Sequence, residues 1–234
     1  AKAELVLQRP LTAEEMGIPA VIARISNPRL YAAFEPAAKK VGELGWTVPS
    51  WAPVDFVAEI STDTGPHCDL VFLQAYRSNG RRNETSLLSG LNHRTSLDPW
   101  RVVLREAVEC YRARRYRIVI PALIACLEGA IRLATKSPPK NIRVRGMVAG
   151  HLREIDPGLI RLAWVSLESF IRVTFENHGF DLKPPGRLNR NWILHGVDRQ
   201  RGGRTEALRL FQALDTLALV TEHASEVVAN SSTN

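Results

Sequence analysis

Apolar side chains recur every three or four residues through almost the whole chain, and this spacing restricts the fold more than any other feature. In "LDPWRVVLREAVECYRA" the apolar positions are Trp100, Val103, Leu104, Ala107, Val108 and Tyr111. Such steps gather on one face of a helix that turns 100° per residue and do not fit the period of two that a strand requires. After the basic break "RARR" the pattern resumes in "YRIVIPALIACLEGAIRLAT", which "SPPKN" ends, and the short "IRVRGMVAGHL" follows. "DPGLIRLAWVSLESFIRVTFENHGF" predicts a third long helix, with Asp156 as cap, Pro157 at its first position and an Asn-His-Gly terminus. "TEALRLFQALDTLALVTEHASEVV" predicts a last one, and the tail "ANSSTN" is expected to fray.

The first third of the chain reads the same way. "LTAEEMGIPAVIARI" opens with Thr12 and Glu15 at capping-box spacing. "SNPRLYAAFEPAAKKVGEL" has Asn27 as cap, Pro28 at the first helical position, Pro36 as a kink point and Gly45 as its close. "GWTVPSWAPVDF" predicts an irregular connector pinned by Trp46 and Trp51. In "VDFVAEIS" a strand is arguable, and helix is preferred. "CDLVFLQAY" and "NETSLLSGLNH" predict two more helices around the polar turn "RSNGRR". The fold class expected is all-α: a four-helix bundle over residues 97–230, preceded by a helical extension, 1–96, to which no chemistry is assigned.

A chain of 234 residues with 45% hydrophobic and 24% charged residues is long and apolar enough to bury a core. Its formal charge of +7 and pI of about 9.7 suit a polyanionic partner without requiring one. Three scattered cysteines, Cys68, Cys110 and Cys126, form no CxxC pair and no disulfide framework, which points to a reducing cytoplasm. "AKAELVLQRP" lacks the apolar stretch of a signal peptide, and "IVIPALIACLEGAI" is too short for a membrane span and holds Glu128, so no membrane association is expected. No phosphate loop, dinucleotide fingerprint, HExxH or GxSxG occurs, which leaves nucleotide hydrolysis and zinc chemistry without support. Neither a metal nor a cofactor is expected.

The chemistry concentrates in "LNRNWILHG", residues 188–196, a short helix closed by glycine. Asn191 and His195 are four apart and share a face. Arg190 and His195 are five apart and diverge by well over a right angle, so two copies of the helix meeting across a symmetry axis would be needed to bring both groups onto one ligand. A guanidinium presents a fixed fork of donors suited to phosphate, an imidazole can move a proton near neutrality, and an amide can orient either. Together they meet the needs of RNA cleavage by internal transesterification. The 2′-hydroxyl loses a proton, the phosphate gains charge and the leaving 5′-oxygen takes a proton. Taken without its neighbours, the pair weighs little, because an arginine-rich chain produces it readily by chance and His195 then reads as a helix-end histidine.

With its flanks, "Y…RRY…PALIACLEG" before it and "TEALRLFQALDTLALV" after it, the segment resembles the HEPN (higher eukaryotes and prokaryotes nucleotide-binding) superfamily over about residues 97–229. The resemblance implies a metal-independent endoribonuclease of bacterial toxin or antiviral defence systems, working as a homodimer whose paired motifs form one cleft. RNA, with tRNA as one candidate, would be its substrate, and a regulatory protein is a further candidate partner. Arg190 and His195 match the family's arginine and histidine, and Asn191 matches the polar residue that often follows the arginine. Glu128 looks like the acidic or polar group of the second helix, although Arg132 could equally satisfy it as an i+4 partner on an exposed face. Members silenced by nucleotide transfer carry a tyrosine two residues after the histidine. Val197 stands there, so that regulation is not expected.

Arg187, Arg199, Arg201 and Arg204 flank the motif and would add positive potential along an RNA backbone. "RQRGGR" is by itself better read as a flexible turn than as an RGG box. The clusters Arg112, Arg114, Arg115, Arg117 and Lys140, Arg143, Arg145 read as solvated turns, His178 as a C-terminal cap of the third helix, and Trp46, Trp51, Trp100 and Trp164 as core. Two other classes stay open: a non-catalytic HEPN module that binds a nucleotide or a partner protein, and, more weakly, a DNA-binding helical protein without a convincing recognition helix.

Overall fold

The computed structural model describes residues 28–62, 64–135, 158–183, 185–198 and 202–231. Among these the chain is all-α, with no strand. In order the helices are α1 (Pro28–Glu43), α2 (Val54–Ser61), α3 (Gly65–Gly90), α4 (Arg101–Arg112), α5 (Tyr116–Thr135), α6 (Leu159–Thr174), the short α7 (Arg190–Leu194) and α8 (Arg204–Ser231). Two 3-10 turns, Leu91–His93 and Thr95–Trp100, join α3 to α4. The helix of Thr12 and Glu15, the caps Asn27 and Asp156 with Pro157, and the basic cluster of Lys140, Arg143 and Arg145 all lie outside the described residues.

α8 is the central element, packed on α5, α6 and α3, while α4 lies on α5 and α1 lies along α6. Leu208, Phe211, Leu214 and Ala218 of α8 are fully buried against Leu123, Leu127 and Phe170 of the same apolar cluster. Side chains from both sides of residue 96, Tyr31 through Leu91 and Leu97 through Val220, belong to that one cluster. The α1–α6 crossing is tight because Gly42 has no side chain: a Cβ there would come within 2.2 Å of the Ser166 carbonyl oxygen. α5 is, among the described residues, the one helix long and apolar enough to cross a membrane. Here Val119, Ile120, Leu123, Ile124 and Leu127 are buried among the other helices.

The connector is held as its aromatics predict. Trp46 is fully buried, stacks on Phe72 at 4.3 Å and donates its indole N–H to Asp69 at 2.8 Å. "VDFVAEIS" is helical, and Gly45 closes α1 with φ +91°. The polar turn in "RSNGRR" is present as a break inside α3, where Gly80 and Arg81 both take left-handed φ near 64°.

Three details differ from the sequence reading. Val103 is left 39% exposed, because α4 buries only the narrower stripe Leu104, Ala107, Val108 and Tyr111. α8 continues into the tail as far as Ser231. α6 stops at Thr174, short of the Asn-His-Gly stretch, so His178 is no cap of that helix. The carbonyl of Glu176 is taken by the Asn189 side chain at 2.9 Å and that of His178 by the Trp192 indole at 3.0 Å. Those bonds replace the ones that a further helical turn would have made.

Candidate functional site

α7 has five residues, too few to be stable alone, so its neighbours must hold it. Asn189 is the N-cap: its Oδ1 accepts from the backbone N–H groups of Asn191 at 3.1 Å and Trp192 at 3.2 Å. Its Nδ2 meanwhile ties the helix to the end of α6. Trp192 is buried beneath His178 and Phe180, and Leu188 is buried just upstream. Gly196, at φ +68°, turns the chain so that Val197 and Asp198 donate back to the Trp192 carbonyl at 2.9 and 3.0 Å. That left-handed turn suits glycine.

On this base Arg190 reaches α5. Its Nε and Nη2 contact the same oxygen, Glu128 Oε2, at 2.8 and 2.7 Å, and its Nη1 donates to Asn191 Oδ1 at 2.7 Å. The other carboxylate oxygen of Glu128 takes Arg132 at 3.0 Å. Glu128 therefore meets both its i+4 partner and the arginine of the motif, in a side chain only 12% exposed and so not on an open face. One carboxylate thus faces two guanidinium groups, one on each of its oxygens. Arg190 has five N–H groups and uses three of them, and its side chain is 29% exposed, so two donors remain for an anion. The Asn191 amide nitrogen has no partner among the described residues, and it too remains a free donor.

His195 is the C-cap of α7 and is exposed. Its ring lies edge-on to Phe180, with centroids 5.4 Å apart, and the imidazole nitrogens have no polar partner among the described residues. The fold thus joins Arg190, Asn191 and Glu128 into one network and leaves His195 next to it, unconnected and open to solvent. Leu194 and Val197, both exposed, flank His195 in the chain, and the exposed Phe180 reaches it through the fold.

The flanking arginines divide. Arg187 is exposed and paired with Glu176 at 2.5 Å. Arg199 and Arg201 lie outside the described residues. Arg204 is turned inward: its Nη2 meets Glu84 at 2.9 Å and its Nε meets the Tyr111 hydroxyl at 3.1 Å. Burial works against the charge on Glu84, but hydrogen bonds from Arg81, Tyr111 and Arg204 outweigh it and hold the carboxyl down at about 2. Arg204 serves this buried carboxylate rather than an open surface. Arg112, Arg114, Arg115 and Arg117 are exposed at the α4–α5 turn, as expected of a solvated break. Burial pushes the Cys126 thiol up to about 11, which suits a core residue and not a nucleophile.

Two contributors escaped the sequence reading. Asn189 carried a usable signal, since asparagine directly before a helix is a common N-cap. Phe180 carried none, because only the folded loop brings it against His195.

No family model matches the chain, and neither a curated protein nor a solved structure does.

Proposed function

We propose that this protein is an endoribonuclease of the HEPN type, cleaving RNA by attack of the 2′-hydroxyl on the adjacent phosphate. The observation that carries the reading is the split character of the motif. Arg190 is held rigidly by Glu128 and Asn191 with two N–H groups to spare, while His195 stands exposed with both ring nitrogens available. His195 moves protons to and from the reacting oxygens, Arg190 stabilises the charge that builds on the phosphorus oxygens, and Asn191 positions the scissile phosphate. Glu128 acts through Arg190 as its positioning residue.

No hydrogen bond links His195 to the Arg190 network, and the five-residue offset points the two groups apart. A homodimer, with two copies of α7 across one axis, converges them on a single phosphodiester. The exposed apolar side chains beside His195, Leu194 and Val197 in sequence and Phe180 by contact, support such an interface. The role would be that of a cytoplasmic toxin or antiviral effector acting on RNA, including tRNA.

The test is incubation of the purified chain with end-labelled RNA in EDTA, beside His195→Ala and Arg190→Ala. Cleavage by wild type and a loss of about a hundredfold or more in each variant is expected. Equal cleavage by His195→Ala would remove the assignment.

A second reading has one observation in its favour. Arg190 already has protein partners in Glu128 and Asn191, which suits a non-catalytic module that uses α7 as an interface for a nucleotide or a partner protein. Under that reading neither wild type nor variant cuts RNA.

A further inference from the structure

A second pocket shares no lining residue with the α7 site. It lies between the 46–53 connector, the second half of α3, the Leu91–His93 turn and α8, and its volume is about 420 Å³. That falls within the range of about 300–1,000 Å³ usual for small-molecule sites.

The fold fixes its aromatic wall. Tyr76 is fully buried and donates to Gln212 at 2.5 Å, and Gln212 in turn bonds the Thr47 hydroxyl at 3.2 Å. Trp51 stands edge-on to Tyr76 at 5.7 Å, tilts against Phe56 at 5.5 Å, and is half-buried at the pocket. A flat ring could pack on that indole.

The polar groups are of two kinds. Asp215 Oδ1 takes both of its bonds from Arg94, each at 2.9 Å, and Arg94 also meets Glu222 at 3.2 Å. Asp215 Oδ2 has no partner among the described residues, in a side chain that is 14% exposed. It is an acceptor set into the wall. Burial also holds this carboxyl above its ordinary value, against the opposing pull of Arg94. Arg82 and His93, by contrast, are exposed lining residues with no acidic partner among the described residues. They are donors waiting for an anion.

We infer that this pocket binds a small planar-ring anion carrying an N–H donor, of the aminopurine nucleoside monophosphate class. The ring packs on Trp51, the exocyclic N–H reaches Asp215 Oδ2, and the phosphate meets Arg82 and His93. Nothing in this depends on RNA cleavage at α7.

The test is calorimetric titration of the full chain with adenosine 5′-monophosphate, adenosine and inorganic phosphate. It uses wild type, Arg82→Ala, His195→Ala and, as a control for general charge, Arg112→Ala, whose side chain is exposed elsewhere. The monophosphate is expected to bind one site per chain, with adenosine and phosphate each at least about tenfold weaker. Arg82→Ala is expected to weaken the monophosphate about tenfold and leave adenosine unchanged, with an unaltered unfolding midpoint. His195→Ala and Arg112→Ala are expected to bind as wild type does. No binding of the monophosphate at millimolar concentration overturns the inference. Phosphate binding as tightly as the monophosphate does so too, as does a loss in His195→Ala that Arg82→Ala does not share.

Discussion

Glu128 shows why a side chain's role was harder to read than its presence. From the sequence it was one acid in an apolar helix with an obvious i+4 partner, and the arginine that it also holds is 62 positions away. That second contact needed the fold to close α5 on α7. Glu128→Gln keeps the shape, removes the charge and loosens Arg190. Cleavage is expected to fall by about 10- to 100-fold with KM changed less, and stability by only about 1 kcal/mol, because Arg190 is partly exposed and solvent screens the pair. Steady-state kinetics beside urea denaturation separates the two effects. Glu84 gives the contrasting case of a charge that only the interior explains. Its folded carboxyl sits at about 2 against an ordinary 4.5, so its stabilisation is fully present above about pH 4.5 and is lost as the pH falls towards 2. The loss amounts to about 3 kcal/mol. Glu84→Gln is expected to flatten that acid limb in denaturation midpoints measured from pH 6 to 2. A limb as steep as that of wild type would mean that Glu84 does not carry it.

Helices were legible wherever one face alone was buried, as in α4 and α5, since periodicity reports burial directly. Their ends were less legible. α6 stops at Thr174, and beyond it side chains of Asn189 and Trp192, more than ten residues ahead, take the carbonyls of Glu176 and His178. The same bonds hold α7, so Asn189→Ala should release that helix. A loss of about 1–2 kcal/mol is expected, with faster hydrogen exchange at the Asn191 and Trp192 amides while α8 stays protected. The crossing of α1 over α6 left no trace in the periodicity, because it depends on a missing side chain. Gly42→Ala drives a Cβ against the Ser166 carbonyl, and backbone cannot swing aside as a long side chain would. A cost of about 1–3 kcal/mol, read from the thermal midpoint, is expected.

At the scale of the molecule, the all-α class followed from the pattern, whereas the way in which residues before 96 enter the same buried cluster as those after it did not. Periodicity says which face is apolar and is silent about which neighbour covers it. The candidate site divides along the same line. Arg190, Asn191 and His195 were visible as neighbours in the chain, but only the folded chain reveals that Arg190 is anchored and His195 is not. A cleft built from two copies requires specific activity to rise with protein concentration through the dimer range, which activity assays run alongside sizing would detect. The most direct test of the account is the chemistry of the ends produced from a defined RNA in EDTA. It predicts a 2′,3′-cyclic phosphate on the 5′ fragment and a free 5′-hydroxyl on the other, both lost in His195→Ala. A 5′-phosphate, or the same ends at the same rate from the variant, would contradict it.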